Sequence, residues 1–267
     1  MSEPLRRAAP AKVNLALHVT GRRADGYHLL DSLVMFAGVG DVVHLSRADE
    51  ISLRVTGPRA SGVPEDARNL CWKAAARFGE GVAITLEKYL PAAAGIGGGS
   101  SDAAAVLRGM EHLYGRDCGF DTVTLGADVP VCMAGRAARM AGIGEEITPL
   151  DMPALQAVLV NPGVEVPTGA VFSGLERRDN PGLAPLPSGD WLDWIAAQRN
   201  DLEAPARAVQ PVISDVLSAL GDALLARMSG SGATCFGLYP DAGTAQAAAD
   251  RITAANPDWW VVATELR

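Results

Sequence analysis

Between Pro91 and Ser101 the chain reads Pro-Ala-Ala-Ala-Gly-Ile-Gly-Gly-Gly-Ser-Ser, and Ile96 is the one large side chain in it. What flanks this stretch decides what it can become. Before it, Val82, Ile84 and Leu86 alternate with their neighbours, the period of a strand. After it, Ala103, Val106, Leu107, Met110 and Leu113 recur at helical spacing. Ser100 or Ser101 is expected to cap that helix, and Asp102 to sit in the favourable field of its first turn. Glycines between a strand and a helix let a ligand approach the backbone. Their N–H groups would converge with the helix N-terminus on an anion such as phosphate. The common fingerprints do not apply. No lysine follows the glycines as in a P-loop, position 100 is serine where G-x-G-x-x-G needs glycine, and no G-x-S-x-G surrounds Ser100, Ser101, Ser229 or Ser231. Taken alone, the run is as compatible with a flexible turn as with a phosphate site.

The 267 residues allow one large domain or two small ones. Net charge is −8, so the chain is not a general binder of nucleic acid, which rewards a basic face. Only Lys12, Lys73 and Lys88 are lysines, so a lysine at a special place stands out. Cys71, Cys118, Cys132 and Cys235 form no metal-ligand spacing, and Met1 to Ala11 is short and polar, without a signal segment. These features lead us to expect a cytoplasmic protein with reduced, mostly buried thiols and no membrane attachment.

Val13, Leu15, Leu17 and Val19 alternate with Asn14, Ala16, His18 and Thr20, which predicts a half-buried strand. Further strands are expected over 33–36, 42–45, 51–55, 137–141, 157–160, 234–238 and 260–264, and helices over 191–198, 212–220 and 244–254. Asn180 to Gly189 is proline-rich and reads as an exposed loop. Strands cluster early and alternate with helices late, which argues for an α+β chain with a boundary near 148–155.

Two more segments accompany the glycine stretch: Pro10-Ala11-Lys12-Val13-Asn14-Leu15, opening the first strand, and Ser229-Gly230-Ser231-Gly232-Ala233, a second small-residue loop. In this order and spacing the three resemble the GHMP kinase superfamily (galactose, homoserine, mevalonate and phosphomevalonate kinases) over nearly the whole chain. The stretch 91–101 is similar to that family's P-x-x-x-G-[LI]-G-G-[GS]-S-S phosphate loop, except that Ala92, Ala93 and Ala94 replace glycines found in several members. Three further segments narrow the resemblance to members acting on a cytidine diphosphate derivative of a sugar alcohol in isoprenoid synthesis. They are Gly21-Arg22-Arg23-Ala24-Asp25-Gly26-Tyr27-His28, Gly126-Ala127-Asp128-Val129-Pro130, and Asn161-Pro162-Gly163 with Pro167-Thr168.

The resemblance implies a two-domain fold: an ATP-binding domain over 1–149 and a C-terminal α/β sandwich domain over 150–267 that binds the acceptor. It implies transfer of the ATP γ-phosphate to the acceptor's 2-hydroxyl, with Asp128 as general base and Lys12 beside it. From the residues alone, Asp128 with Pro130 reads better as a helix cap. ATP would be held by Pro91, Gly95, Ile96, Gly97, Gly98, Gly99, Ser100 and Ser101, with Asn69 and Lys88 near the purine and ribose. Gly230, Ser231 and Gly232 form the third loop. Asn14, on the Lys12 face of its strand, could orient the acceptor by hydrogen bonds or satisfy a buried backbone group, and the resemblance assigns Thr168 to the sugar alcohol or diphosphate. Tyr27 and Phe172 would lie on the two faces of the base and His28 at its edge. Mg²⁺ would travel with ATP, with Ser101 in reach and no dependable carboxylate ligand. The implied partners are small molecules, neither nucleic acid nor membrane, and the implied state is monomer or weak homodimer. The Tyr27-His28 segment disfavours a homoserine or mevalonate kinase, whose acceptors carry no base, and Lys12 with Asp128 disfavours a nucleotide binder without catalysis.

Overall fold

The computed structural model describes residues 3–92 and 94–267; Met1, Ser2 and Ala93, one of the three alanines before the glycines, lie outside the described residues. In chain order the elements begin with β1 (Leu5–Arg22), β2 (His28–Arg47), β3 (Ser52–Thr56), α1 (Leu70–Phe78), β4 (Val82–Glu87), α2 (Gly98–Tyr114) and α3 (Val129–Ala134). Then follow β5 (Ala138–Gly142), β6 (Glu146–Pro149), β7 (Leu155–Asn161), α4 (Thr168–Ser173), α5 (Trp191–Ala196), α6 (Glu203–Val209) and α7 (Val212–Ala219). The chain closes with β8 (Leu225–Met228), β9 (Cys235–Tyr239), α8 (Ala242–Ala255) and β10 (Trp260–Leu266).

Several expectations are revised. The segments 33–36 and 42–45 belong to one strand, β2, of 20 residues. The glycines between them do not break it: Gly38 lies against Thr264, and a Cβ at Gly40 would run into the Ala9 carbonyl. Nor is β1 half-buried. Every residue from Ala11 to Val19 is buried, polar ones included, because Lys12, Asn14 and His18 all find polar partners. Neither Ser100 nor Ser101 caps α2. Its N-cap is Gly97 at φ 62°, and both serines lie inside the helix.

By their contacts the residues form two compact units, one of Met1–Lys12, Val39–Ala92 and Gly97–Gly135, the other of Val13–Gly38, Ala93–Ile96 and Arg136–Arg267. These units interleave along the chain, where the sequence texture suggested a boundary near 148–155. The long strands β1 and β2 each give residues to both units.

In the first unit β4 pairs parallel with β3 and antiparallel with the C-terminal half of β2. Helix α1 starts because the Asn69 side chain accepts from the Cys71 N–H, and it stops at Gly79, φ 88°. Its buried residues Cys71, Ala74, Ala75 and Phe78 follow the helical period and join Ala103, Val106, Leu107 and Met110 of α2 in one core. Only glycine fits at Gly109, where a Cβ would strike the Leu45 side chain.

In the second unit the strand order is β2-β10-β7-β9-β8, antiparallel throughout, with β5 on β2 and β6 on β5. Val158 and Val160 of β7 share a core with Val171, Ile213, Val216, Ala245, Ala248 and Ile252. The loop over 180–189 is more tightly held than its composition suggests. Asn180 N donates to Val19 O at 3.1 Å, and Leu183 N to Asp31 Oδ2 at 2.8 Å, leaving Leu183 buried.

Candidate active site

Lys12 lies on β1 with its side chain 5% exposed, and its Nζ is 2.8 Å from Asp128 Oδ2. Asp128 stands at the N-cap position of α3, yet its side chain makes no cap bond. The choice between cap and ion pair is thus decided for the ion pair. The Asp128 side chain keeps 31% exposure, so one carboxylate is both paired and reachable. Gly97 fits against this pair: at φ 62° its Cβ would lie 3.3 Å from Lys12 Cε and 3.6 Å from Asp128 Oδ2. From Gly97 the 17-residue helix α2 departs, with its first N–H groups lacking intrahelical partners, as an anion site requires. A Cβ at Gly99 would meet nothing within 4 Å, so the backbone there is open.

Lys88 and Asn69 are engaged locally. Lys88 Nζ donates to Asp102 Oδ2 at 2.8 Å and to Asp41 Oδ2, and Asp41 Oδ1 accepts from Tyr89 N and Leu90 N at 2.6 and 2.9 Å. Burial opposes the Lys88 charge, but Asp102 and Asp41 outweigh it and hold the ammonium above its ordinary value. One cation between two carboxylates leaves negative charge uncompensated. Burial pushes the Asp102 carboxyl up to about 7 against the pull of Lys88, with Asp41 adding to the rise. Asp102 is therefore Lys88's partner rather than a free charge for the helix dipole. The Asn69 side chain caps α1, and its Nδ2 donates to Pro64 O at 2.8 Å.

The second unit gathers the remaining residues. A Cβ at Gly95, φ 69°, would lie 2.5 Å from the Ser229 carbonyl and 2.8 Å from Gly232 N, while one at Gly230 would lie 2.6 Å from the Gly95 carbonyl. The two glycine loops meet backbone to backbone, which only glycine permits at these positions. Ser229 Oγ donates to Gly95 O at 3.0 Å, and Thr234 N donates to Ala94 O at 3.2 Å. Ala94 is buried and Ala92 exposed; Ala93 lies outside the described residues. Asn14 Nδ2 donates to Ser32 Oγ at 2.8 Å. Thr168, at the start of α4, places its Oγ1 2.9 Å from Ser231 Oγ.

Four residues along α4, Phe172 stacks on His28 with ring centroids 4.6 Å apart and planes 22° apart. His28 Nε2 is buried without a partner among the described residues. Burial, then Arg22 and Arg178, hold this imidazole below its usual value. Tyr27 is 61% exposed. The ring on Phe172 is therefore that of His28, where the sequence reading put Tyr27 and Phe172 on the two faces of a base. Sequence reasoning missed Ser32, Asp41, Asp102 and Ser229 as partners of site residues. Ser229 was visible as the head of a small-residue loop, but nothing in its spacing marked it out.

A family model described as GHMP kinases N terminal domain matches residues 68–138, and one described as GHMP kinases C terminal matches residues 183–258. The chain is 57% identical over 276 residues to a 4-diphosphocytidyl-2-C-methyl-D-erythritol kinase of Dinoroseobacter shibae, covering 100% of this chain and 96% of that protein. It is 55% identical to the protein of the same name from Jannaschia sp., covering 95% of this chain and 94% of the other. Among solved structures, one of 4-(cytidine 5'-diphospho)-2C-methyl-D-erythritol kinase superposes with a TM-score of 0.82 at 36% identity, covering 98% of this chain and 99% of that one. A homoserine kinase from Cytophaga hutchinsonii, at 19% identity and a TM-score of 0.68, shares the fold. The chain therefore belongs to the GHMP kinase family.

Proposed function

We propose that this chain transfers the γ-phosphate of ATP to the 2-hydroxyl of 4-diphosphocytidyl-2-C-methyl-D-erythritol, the substrate in the names of its relatives, and so serves isoprenoid synthesis. The observation that carries the mechanism is the Lys12–Asp128 pair against Gly97. The hydroxyl oxygen attacks γ-phosphorus, the bond from that phosphorus to the β-phosphate bridging oxygen breaks, and ADP leaves. Asp128 takes the hydroxyl proton, and Lys12 steadies the negative charge that develops. The glycine stretch 95–99 and the α2 N-terminus hold the phosphates. Asn69 and Lys88 support the nucleotide through the segments that their side chains brace.

Mg²⁺ enters as part of the ATP substrate and neutralises the β- and γ-phosphates. Our candidate to touch it is Ser101, a reading supported by its Oγ being buried and without a partner among the described residues. On the acceptor side, Asn14 and Thr168 hold the sugar alcohol or diphosphate, and Tyr27, His28 and Phe172 hold the cytosine. The division of labour we propose gives ATP to residues 1–149 and the acceptor to residues 150–267. Asn14, Tyr27 and His28 are acceptor contacts contributed by the first half. The family matches at 68–138 and 183–258 fall on either side of that line. We place the protein in the cytoplasm as a monomer or weak homodimer, away from nucleic acid. No helix among the described residues is long and apolar enough to cross a membrane, and the net charge is −8.

The test is ADP release from purified protein with Mg-ATP and a panel of acceptors: the cytidine diphosphate substrate, 2-C-methylerythritol 4-phosphate, homoserine and mevalonate. Turnover confined to the first supports the reading. Equal turnover of 2-C-methylerythritol 4-phosphate, with no competition from CMP or CDP, removes the cytosine site.

A further inference from the structure

Asn14, Ser32 and Ser229 form a buried polar chain in which the direction of each hydrogen bond can be assigned. Asn14 is 3% exposed, Ser32 1% and Ser229 0%. Ser32 Oγ lies 2.6 Å from the carbonyl of Ala16, which can only accept, so the single hydroxyl hydrogen of Ser32 is donated there. Ser32 Oγ must therefore accept from Asn14 at 2.8 Å, and the amide atom facing it must be the NH₂ group. On the main chain, Asn14 N donates to Ser229 Oγ at 3.0 Å, and Ser229 Oγ gives its own hydrogen to Gly95 O, also at 3.0 Å. Both serine hydroxyl hydrogens and one of the two Asn14 amide hydrogens are thereby placed. Asn14 Oδ1 remains, buried and without a partner among the described residues. A buried acceptor held without a donor is unfavourable, and it marks a place where a ligand's O–H or N–H completes the network.

We infer that Ser32 is a positioning residue: it locks the Asn14 amide so that Oδ1 is an obligate acceptor for a hydroxyl of the sugar alcohol. This rests on the proposed alcohol-kinase reading, in which Asn14 touches the acceptor. Ser229 contributes by tying the Asn14 main chain to the Gly95 carbonyl at the start of the phosphate loop.

The experiment measures kcat and KM for both substrates, with melting temperature alongside, in Ser32→Ala, Ser32→Cys, Ser32→Thr, Asn14→Ala and the Ser32→Ala/Asn14→Ala double variant. Ser32→Ala and Ser32→Cys should raise KM for the cytidine diphosphate acceptor roughly three- to tenfold, the worth of one neutral hydrogen bond, with KM for ATP unchanged. Ser32→Thr, which keeps the hydroxyl, should stay near wild type. The double variant should be no worse than Asn14→Ala alone, because both changes remove one contact. A wild-type acceptor KM in Ser32→Ala beside a raised one in Asn14→Ala overturns the inference and leaves the kinase reading intact. So do losses that multiply, or equal rises in both KM values with a falling melting temperature. A wild-type protein that does not phosphorylate this acceptor ends the kinase reading, and the inference with it.

Discussion

At Asp128 two uses of one carboxylate compete. The N-cap position of α3 invites a bond to the helix's own N–H groups, but the structure gives the side chain to Lys12 instead. A buried ammonium attracts a carboxylate more strongly than a neutral N–H does, and an unpaired Lys12 would be costly to bury. Asp128→Asn leaves the Lys12 charge without its carboxylate, so it is expected to fold with a lowered melting temperature and to bind ATP as before, since the side chain is not proposed to touch the nucleotide. Its kcat should fall about a hundred- to ten-thousand-fold, the usual cost of losing a general base. Steady-state kinetics with the cytidine diphosphate acceptor check this, and retention of half the wild-type kcat would exclude Asp128 as the base. Lys12→Met should show a comparable loss, and the double variant should be far less than multiplicatively worse, since both groups act on one proton transfer. The thiol of Cys132, buried on α3, takes no part, because burial pushes it up to about 12.

At the scale of elements, the glycine loop and the β1–loop strap make opposite demands. Gly95 needs both a positive φ and the absence of a Cβ, which would sit 2.5 Å from the Ser229 carbonyl. Gly95→Ala should therefore lower stability by about 1–2 kcal/mol for the left-handed backbone alone, and by more for the overlap. Gly99 has neither constraint. Gly99→Ala should keep the wild-type denaturation midpoint and raise KM for ATP, because its methyl stands only in the path of the nucleotide. Urea titrations with nucleotide kinetics separate the two, and a Gly99→Ala protein with unchanged KM would mean that phosphate does not approach there.

The strap over 180–185 carries a different dependence. His18 Nδ1 faces the Pro181 carbonyl at 3.1 Å and must carry the hydrogen, while Nε2 accepts from Arg199 N at 3.3 Å, so the ring is bound in its neutral form. Burial first, then Arg199, lower its proton affinity, with Gly182, Pro181 and Asp201 opposing. Below the ordinary histidine value of about 6.5 the unfolded chain binds a proton that the folded chain resists. This contribution to stability is therefore present above that pH and lost as pH falls beneath it. Denaturation midpoints from pH 7.5 to 5 should fall more steeply in the wild type than in His18→Gln. Parallel slopes would show that His18 does not set the dependence.

For the whole molecule, the sharpest exposure of the proposed function is acceptor choice. Tyr27→Ala or Phe172→Ala should raise KM for the cytidine diphosphate acceptor about ten- to a hundredfold, the worth of one aromatic–base stack, with KM for ATP nearly unchanged. Unchanged acceptor KM in both variants would dismiss the base site. The strand and helix that flank the glycine loop and the chemical parts were legible in the chain itself, whereas α1, α4, α6, β6 and β8 were not. Alternation at Val82–Leu86, the helical period from Ala103 to Leu113, and the lysine, aspartate and glycine segments are local patterns, and the family resemblance followed from their order. Long-range partners were not legible, because hydrogen bonds and ion pairs between residues far apart in sequence leave no periodic trace. Lys88 with Asp41 and Asp102, His28 on Phe172, and Ser32 and Ser229 around Asn14 all belong to that class. So does the continuity of β2 through its glycines, which depends on neighbours brought up against Gly38 and Gly40. Residue types and their local spacing thus determined which chemistry this protein carries. Only the tertiary structure decided which of two possible partners each polar group takes, since that depends on what burial leaves within reach.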